Sequence, residues 1–143
     1  MKLVSACLAG VKCRYDGNSK SSKKVMEMVR KGKAIPVCPE QLGGLTTPRL
    51  ATELINGRAF ACDGRDVKKA LAKGAAEMLK IAKLAGCKEA ILKAKSPSCG
   101  SGEIYDGSFS GKLVKGDGIT AALLKKNGIK VKTEDEIKAK EEK

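Results

Sequence analysis

Apolar positions along the chain follow two rhythms, and the alternation between them predicts the architecture. Over residues 66–85, Val67, Leu71, Ala75, Met78, Leu79, Ala82 and Ala85 recur at steps of three and four, so one face of a long helix is apolar, with Gly86 as its stop. Residues 20–31 place Val25, Met28 and Val29 on one face of a second helix, ending at Gly32. Asp117 is a suitable N-cap for a third, "GITAALLKKN", closed by Gly128. Between these lie short apolar runs of strand length. They are "KLVSA" (2–6), "KAIPVC" (33–38), the weaker "RAFAC" (58–62), "KEAILKA" (88–94) and "IKVKT" (129–133). Pro36 argues that the second of these is an edge or irregular strand, because proline has no N–H for a ladder. "TPRLATELING" (47–57) reads as a short helix begun by Pro48 and closed by Gly57.

Strands alternating with helices predict βαβ units with right-handed crossovers and a mainly parallel sheet flanked by helices, a single α/β domain. In such sheets ligands collect beyond the carboxyl ends of the strands. The domain is expected to span residues 1–133. Residues 134–143, "EDEIKAKEEK", are charged all round and predict a helical or frayed tail. No period of 20–50 residues repeats. "YDG" occurs at 15–17 and again at 105–107, which predicts two similar Asp-Gly turns with Asp16 and Asp106 in structural roles.

Composition narrows the chemistry. The 29 Lys and Arg against 16 Asp and Glu leave a net charge of +13, a surface that attracts polyanions such as RNA. The lysines are dispersed, however, and only four aromatics exist to stack on bases, so RNA binding as the main role is unsupported. No apolar run approaches the roughly 20 residues of a membrane span, and the first ten residues are too short for a secretory signal. A cytoplasmic location is the expectation. Six cysteines then call for metal ligation, catalysis or burial rather than disulfides. Histidine is absent, so a metal site would be thiolate-dominated, and proton transfer falls to Asp, Glu, Lys, Tyr or Cys.

Three cysteines stand at predicted strand ends: Cys7 after the first strand, Cys38 after the second and Cys99 after "AILKAKSPS". If those strands are parallel neighbours, their thiols emerge on one edge of the sheet despite their separation in sequence. Gly10, Pro39, Gly43, Gly44, Pro97 and Gly100 supply turns beside them and let backbone approach a bulky ligand. Thiolates without histidine suit a soft centre, an iron–sulfur cluster or zinc. No C-x-x-C spacing decides between them. Cys13, in "CRYDG", is the fourth candidate, whereas Cys62 and Cys87 read as core or peripheral residues.

The segments "SACLAGVKCRYDG", "CPEQLGGLTTPR", "AILKAKSPSCG", "IYDGSFSG" and "GDGITAALLKKNGI" together resemble the 2-thiouracil desulfurase family, from Val4 to about Val131. The resemblance implies a Rossmann-like α/β domain in which Cys7, Cys38 and Cys99 hold a [4Fe-4S] cluster. It implies a fourth iron left open to take the substrate's sulfur and an activity converting thiolated pyrimidines to the oxo form. Cys13 stays outside that ligand set. Exchange of C=S for C=O needs a thiophilic acceptor for sulfur and a base for water. Glu40, two residues from Cys38, is the best-placed carboxylate, although a residue there also suits a helix cap. Ser96 and Ser98 flank Cys99 and would bond substrate or cluster sulfur, or merely stabilise the turn; Ser96 ranks ahead of Ser98, because neighbouring side chains point apart. Arg14 and Arg49 suit pyrimidine carbonyls or the charge of the cluster, or else structural ion pairs. Two other readings remain open. One is a non-catalytic zinc module with a basic RNA-binding surface; the other is a cluster enzyme that handles sulfide or persulfide.

Overall fold

β1 (Lys2–Ser5) runs between two parallel partners, β2 (Ala34–Val37) and β5 (Glu89–Leu92). β8 (Lys130–Thr133) pairs in parallel with β5, and the sheet order is β2-β1-β5-β8. The computed structural model describes residues 1–141 of the chain. β2 is the edge strand that Pro36 predicts; this residue lies opposite Val4 of β1. The chain leaves β1 in one direction for β2 and later returns on the other side through β5. The strand order therefore switches between β1 and β5, the place where open α/β sheets bind ligands.

Alternate residues of each strand serve opposite faces. Leu3, Val37, Ala90 and Leu92 pack with Met78 and Ala82 of α3 (Lys68–Ala85) and with Ala121 and Leu124 of α4 (Ile119–Lys126). Val4, Ala34 and Ile91 pack with Val25 of α1 (Lys23–Arg30) and Ile137 of α5 (Glu134–Glu141). Apolar residues on both faces explain why the strands read as near-continuous apolar runs rather than alternating ones. The helices over 20–31 and 66–85 form as the periodicity predicts. α1 starts at Ser22, whose hydroxyl accepts the Val25 N–H at 3.4 Å, and α3 ends on Gly86 in the left-handed conformation. Ile137 is the apolar contact that ties α5 to the sheet; positions 142–143 of the charged stretch lie outside the described residues.

Two expectations give way. The stretch 47–57 is not a helix: β3 (Thr52–Ile55) pairs antiparallel with β4 (Arg58–Ala61) around Asn56-Gly57, both with positive φ. That dipeptide is the residue pair a tight hairpin requires, and hairpin pairing overrides the helical spacing. Asp117 does not cap α4; Gly118 is the N-cap, and the Asp117 carboxylate instead accepts the Gly102 N–H and pairs with Lys125, both at 2.9 Å. The Gly/Ser stretch between Cys99 and α4 holds a further antiparallel hairpin, β6 (Glu103–Tyr105) with β7 (Leu113–Lys115), which leans on β3. Both "YDG" segments are turns in which the Asp carboxylate accepts the N–H two residues on, from Asn18 and Ser108. Among the described residues no helix is long and apolar enough to cross a membrane.

One contact sets the position of α2 (Pro39–Leu42), the short helix that follows β2. Gly43 at its end and Gly74 of α3 face each other so closely that a Cβ on Gly43 would lie 1.9 Å from the Ala70 carbonyl oxygen, and one on Gly74 1.7 Å from that of Pro39. Replacing an interior helix glycine with alanine ordinarily stabilises by about 1 kcal/mol. Here the sign should reverse. Gly74→Ala is expected to destabilise by roughly 1–3 kcal/mol, as overpacking does, read as a lower midpoint in chemical denaturation. An unchanged or raised midpoint would show that α2 is not seated on α3 in this way.

Candidate functional site

The carboxyl ends of β1, β2 and β5 open into one cleft of about 460 Å³, lined by Cys7, Cys13, Cys38 and Cys99. Each cysteine arrives by a different local device. Cys7 sits in a 3-10 turn (Ala6–Ala9) that Gly10 terminates in the left-handed conformation. Cys38 is the N-cap residue of α2, so β2 passes directly into a helix held against α3. Cys99 follows the "SPS" turn, where the Ser96 hydroxyl accepts the N–H groups of Ser98 at 3.2 Å and Cys99 at 3.1 Å. The three predicted strand-end thiols thus share one rim, and the structure adds Cys13 to them. Cys13 neighbours Cys7 and Cys38, and the Cys38 thiol donates to the Cys13 carbonyl oxygen at 3.8 Å. Cys87 is buried in the α3–α4 core and Cys62 is exposed near the end of β4; neither lines the cleft.

The four cleft thiols are free; Cys7, Cys13 and Cys99 are buried and Cys38 is partly buried. Burial pushes Cys99 up to about 12 despite hydrogen bonding from Ser5, and the nearby Glu40 carboxylate adds to the effect. Contact with Cys13 raises Cys38, and burial raises it further. Cys13 stands at about 11: contact with Cys38 lowers it, but contact with Cys7 and burial outweigh that. Buried thiols with nothing positive to bind cost free energy to ionise, whereas a bound metal supplies the missing charge. Among the described residues no three Cys, Asp or Glu side chains close tightly enough to hold a single ion. Cys7, Cys13, Cys38 and Cys99 instead share the lining of one cleft, a thiolate-only donor set that suits a soft metal centre.

Glu40 and Arg49 meet at this rim. Arg49 Nη2 reaches Glu40 Oε2 at 3.3 Å and the Cys13 carbonyl oxygen at 2.9 Å, while Nη1 donates to Thr46 O at 3.1 Å and Thr47 Oγ1 at 3.0 Å. Both side chains are largely buried, at 7% and 16% exposure for Arg49 and Glu40. Arg49 Nε is buried without a partner among the described residues. Arg14 also lines the cleft, 3.8 Å from Asp16 and over the Tyr15 ring. Ser96 lines the cleft. Ser98 does not: it is fully buried, and its Oγ has no partner among the described residues.

Several residues at the rim carried no signal of their own. Ser5 Oγ accepts the Lys93 N–H at 2.9 Å, joining the ends of β1 and β5. Lys93 Nζ pairs with Glu134 at 3.0 Å, and Glu134 also accepts the Ala94 N–H at 2.6 Å. α5 therefore clamps the segment that leads to Cys99. Glu134 belongs to the charged stretch, where one carboxylate among many cannot be singled out by composition.

A model of the family described as 2-thiouracil desulfurase matches residues 3–136. The uncharacterized protein YbbK of Bacillus subtilis (strain 168) is 45% identical over 147 residues, which cover 96% of this chain and 97% of that protein. A solved structure described as [4Fe-4S]-dependent thiouracil desulfidase TudS is 42% identical, with a TM-score of 0.91, covering 96% of this chain and 92% of that one.

Arg49 is the residue whose loss should disturb the rim most. Arg49→Lys keeps the charge but removes the planar fork that joins Glu40, Cys13 and the Thr46–Thr47 turn, and the two residue types are not interchangeable at such sites. A destabilisation of roughly 1–3 kcal/mol is expected from the unpaired buried groups, measured by denaturant titration. A change of only a few tenths would show the pair to be peripheral.

Proposed function

The chain belongs to the 2-thiouracil desulfurase family, and on that premise we propose that it is an iron–sulfur-dependent desulfurase converting thiolated pyrimidines of the 2-thiouracil type to the oxo form. The observation that carries the proposal is the convergence of Cys7, Cys38 and Cys99 from three parallel strand ends on one buried rim. A [4Fe-4S] cluster fits the donor set, which is thiolate-only and gathered around one cleft. Cys7, Cys38 and Cys99 would hold it. When bound, the cluster supplies a thiophilic Lewis acid, an iron without a cysteine ligand, that polarises a C=S bond.

The overall change is hydrolytic. Water forms the new C–O bond, the C–S bond breaks, and sulfide leaves with the protons of water, so no net electrons move. The residues of the chain then have definite tasks. Glu40 takes the proton from water on Oε1, because Oε2 is occupied by Arg49. Arg49 fixes the orientation of that carboxylate. Ser96, which accepts the Cys99 N–H, keeps its own hydroxyl hydrogen for a sulfur or a carbonyl in the cleft. Arg14 and Lys93 give the rim positive charge against thiolates. Ser98, buried away from the cleft, shapes the turn: its carbonyl oxygen accepts the N–H groups of Thr120 and Ala121. Cys13 would stay outside the ligand set, lining the cleft beside the three residues that hold the group.

Protein purified without oxygen is expected to be brown, with about four iron per chain. It should convert 2-thiouracil to uracil with one sulfide released per turnover. Cys7→Ala, Cys38→Ala and Cys99→Ala should each lose iron and activity, while Cys13→Ala keeps both. Colourless protein with one zinc per chain would favour the non-catalytic module. Persulfide turnover without any uracil would favour the sulfide-handling reading. Loss of iron in Cys13→Ala would make the cluster four-coordinate in protein and closed.

A further inference from the structure

The chain has no tryptophan and only four other aromatic residues, yet three of these, Tyr15, Tyr105 and Phe109, line the same cleft as the cysteines. Tyr15 already lies beneath the Arg14 guanidinium, 5.8 Å from its ring centroid. The Phe109 ring has no aromatic or cationic partner among the described residues and is 40% exposed at the cleft.

Its backbone is held at some cost. Phe109 has φ of 55°, one of three non-glycine residues with positive φ among the described residues, and of these three Phe109 and Lys95 line the cleft. An aromatic residue in that region is strained and persists only where its surroundings impose it. Here a single carboxylate does so. Glu53 Oε1, on β3, accepts the Gly107 N–H at 3.0 Å and the Phe109 N–H at 3.1 Å. Gly107 is pressed against the same strand, so that a Cβ there would lie 2.8 Å from Ile55 Cβ and 2.9 Å from Leu54 O. The β6–β7 loop is thus strapped to the β3–β4 hairpin, with its one large apolar side chain at the cleft.

Resting on the desulfurase reading above, we propose that Phe109 is the stacking surface for the planar pyrimidine ring, and that Glu53 is the positioning residue that presents it. The ring is recognised by its face, independently of whether sulfur or oxygen sits at its edge. Strapping the loop beforehand spares substrate the entropy of ordering it. Stacking contributes the same to ground state and transition state, so its loss falls on KM rather than kcat.

The test uses the cluster-loaded enzyme. Phe109→Ala should raise the KM for 2-thiouracil roughly tenfold, the size of a lost base–aromatic stack, with kcat within about twofold. Phe109→Trp should keep KM and introduce a lone indole, whose fluorescence uracil then quenches saturably. Glu53→Ala should match Phe109→Ala in KM and speed tryptic cleavage after Lys112 in the freed loop. Glu53→Gln should behave as wild type, because its amide oxygen still accepts both N–H groups. An unchanged KM in Phe109→Ala, or no quenching by uracil in an active Phe109→Trp enzyme, overturns the stacking role while leaving the desulfurase reading intact. Normal KM and normal proteolysis in Glu53→Ala overturn the strap. Quenching by uracil in a protein whose wild type does not desulfurate thiouracil would uphold the ring site and overturn the activity.

Discussion

Parallel hydrogen bonding of β1 to both β2 and β5 is the constraint from which the rest of this structure follows. Because the three strands point the same way, whatever follows each of them must emerge on one edge. Cys7, Cys38 and Cys99 occupy those continuations, and residues far apart in sequence become neighbours without any local motif joining them. Parallel strands need long crossovers, and the crossovers supply the helices that bury both faces. An antiparallel pairing of the same segments would send alternate thiols to opposite edges.

That edge is electrically demanding. Burial and thiol–thiol contact push Cys13, Cys38 and Cys99 upward, and the Glu40 carboxylate opposes ionisation of Cys38 and Cys99 further. The protein answers with cations held in fixed places. Arg49 is fixed by Glu40, Cys13 and the Thr46–Thr47 turn, and Lys93 by Glu134. Backbone packing supports the arrangement from behind, where Gly43 and Gly74 let α2 sit directly on α3 and so determine where Cys38 and Glu40 point. The two antiparallel hairpins add no strand to the main sheet; they wall the cleft and bring Thr52, Glu53, Tyr105 and Phe109 to it.

Local periodicity was enough to determine much of this. The faces of α1 and α3, the edge position implied by Pro36 and the alternation of strand with helix are all properties of short stretches, where each residue's neighbours in sequence are also its neighbours in space. The cysteines at strand ends were legible for the same reason, once parallel order was assumed. Residues 47–57 failed that reading, since their apolar spacing fits either a helix or a strand, and pairing with β4 across Asn56-Gly57 decides the matter. Asp117 has the composition of a cap, but its carboxylate is drawn to Gly102 and Lys125, partners brought up by the fold.

The sequence by itself determined the kinds of donor available: soft thiolates, no imidazole, a surplus of cations and very few aromatic rings. Only the tertiary structure decided which of them meet. It placed Cys13 among the other thiols, turned Ser98 inward while Ser96 faces the cleft, and drew Glu134 from a charged stretch to hold Lys93. The physical reason is that contacts between residues tens of positions apart are set by strand order and by the closeness of packed backbones, and neither leaves a periodic trace in the local pattern of side chains.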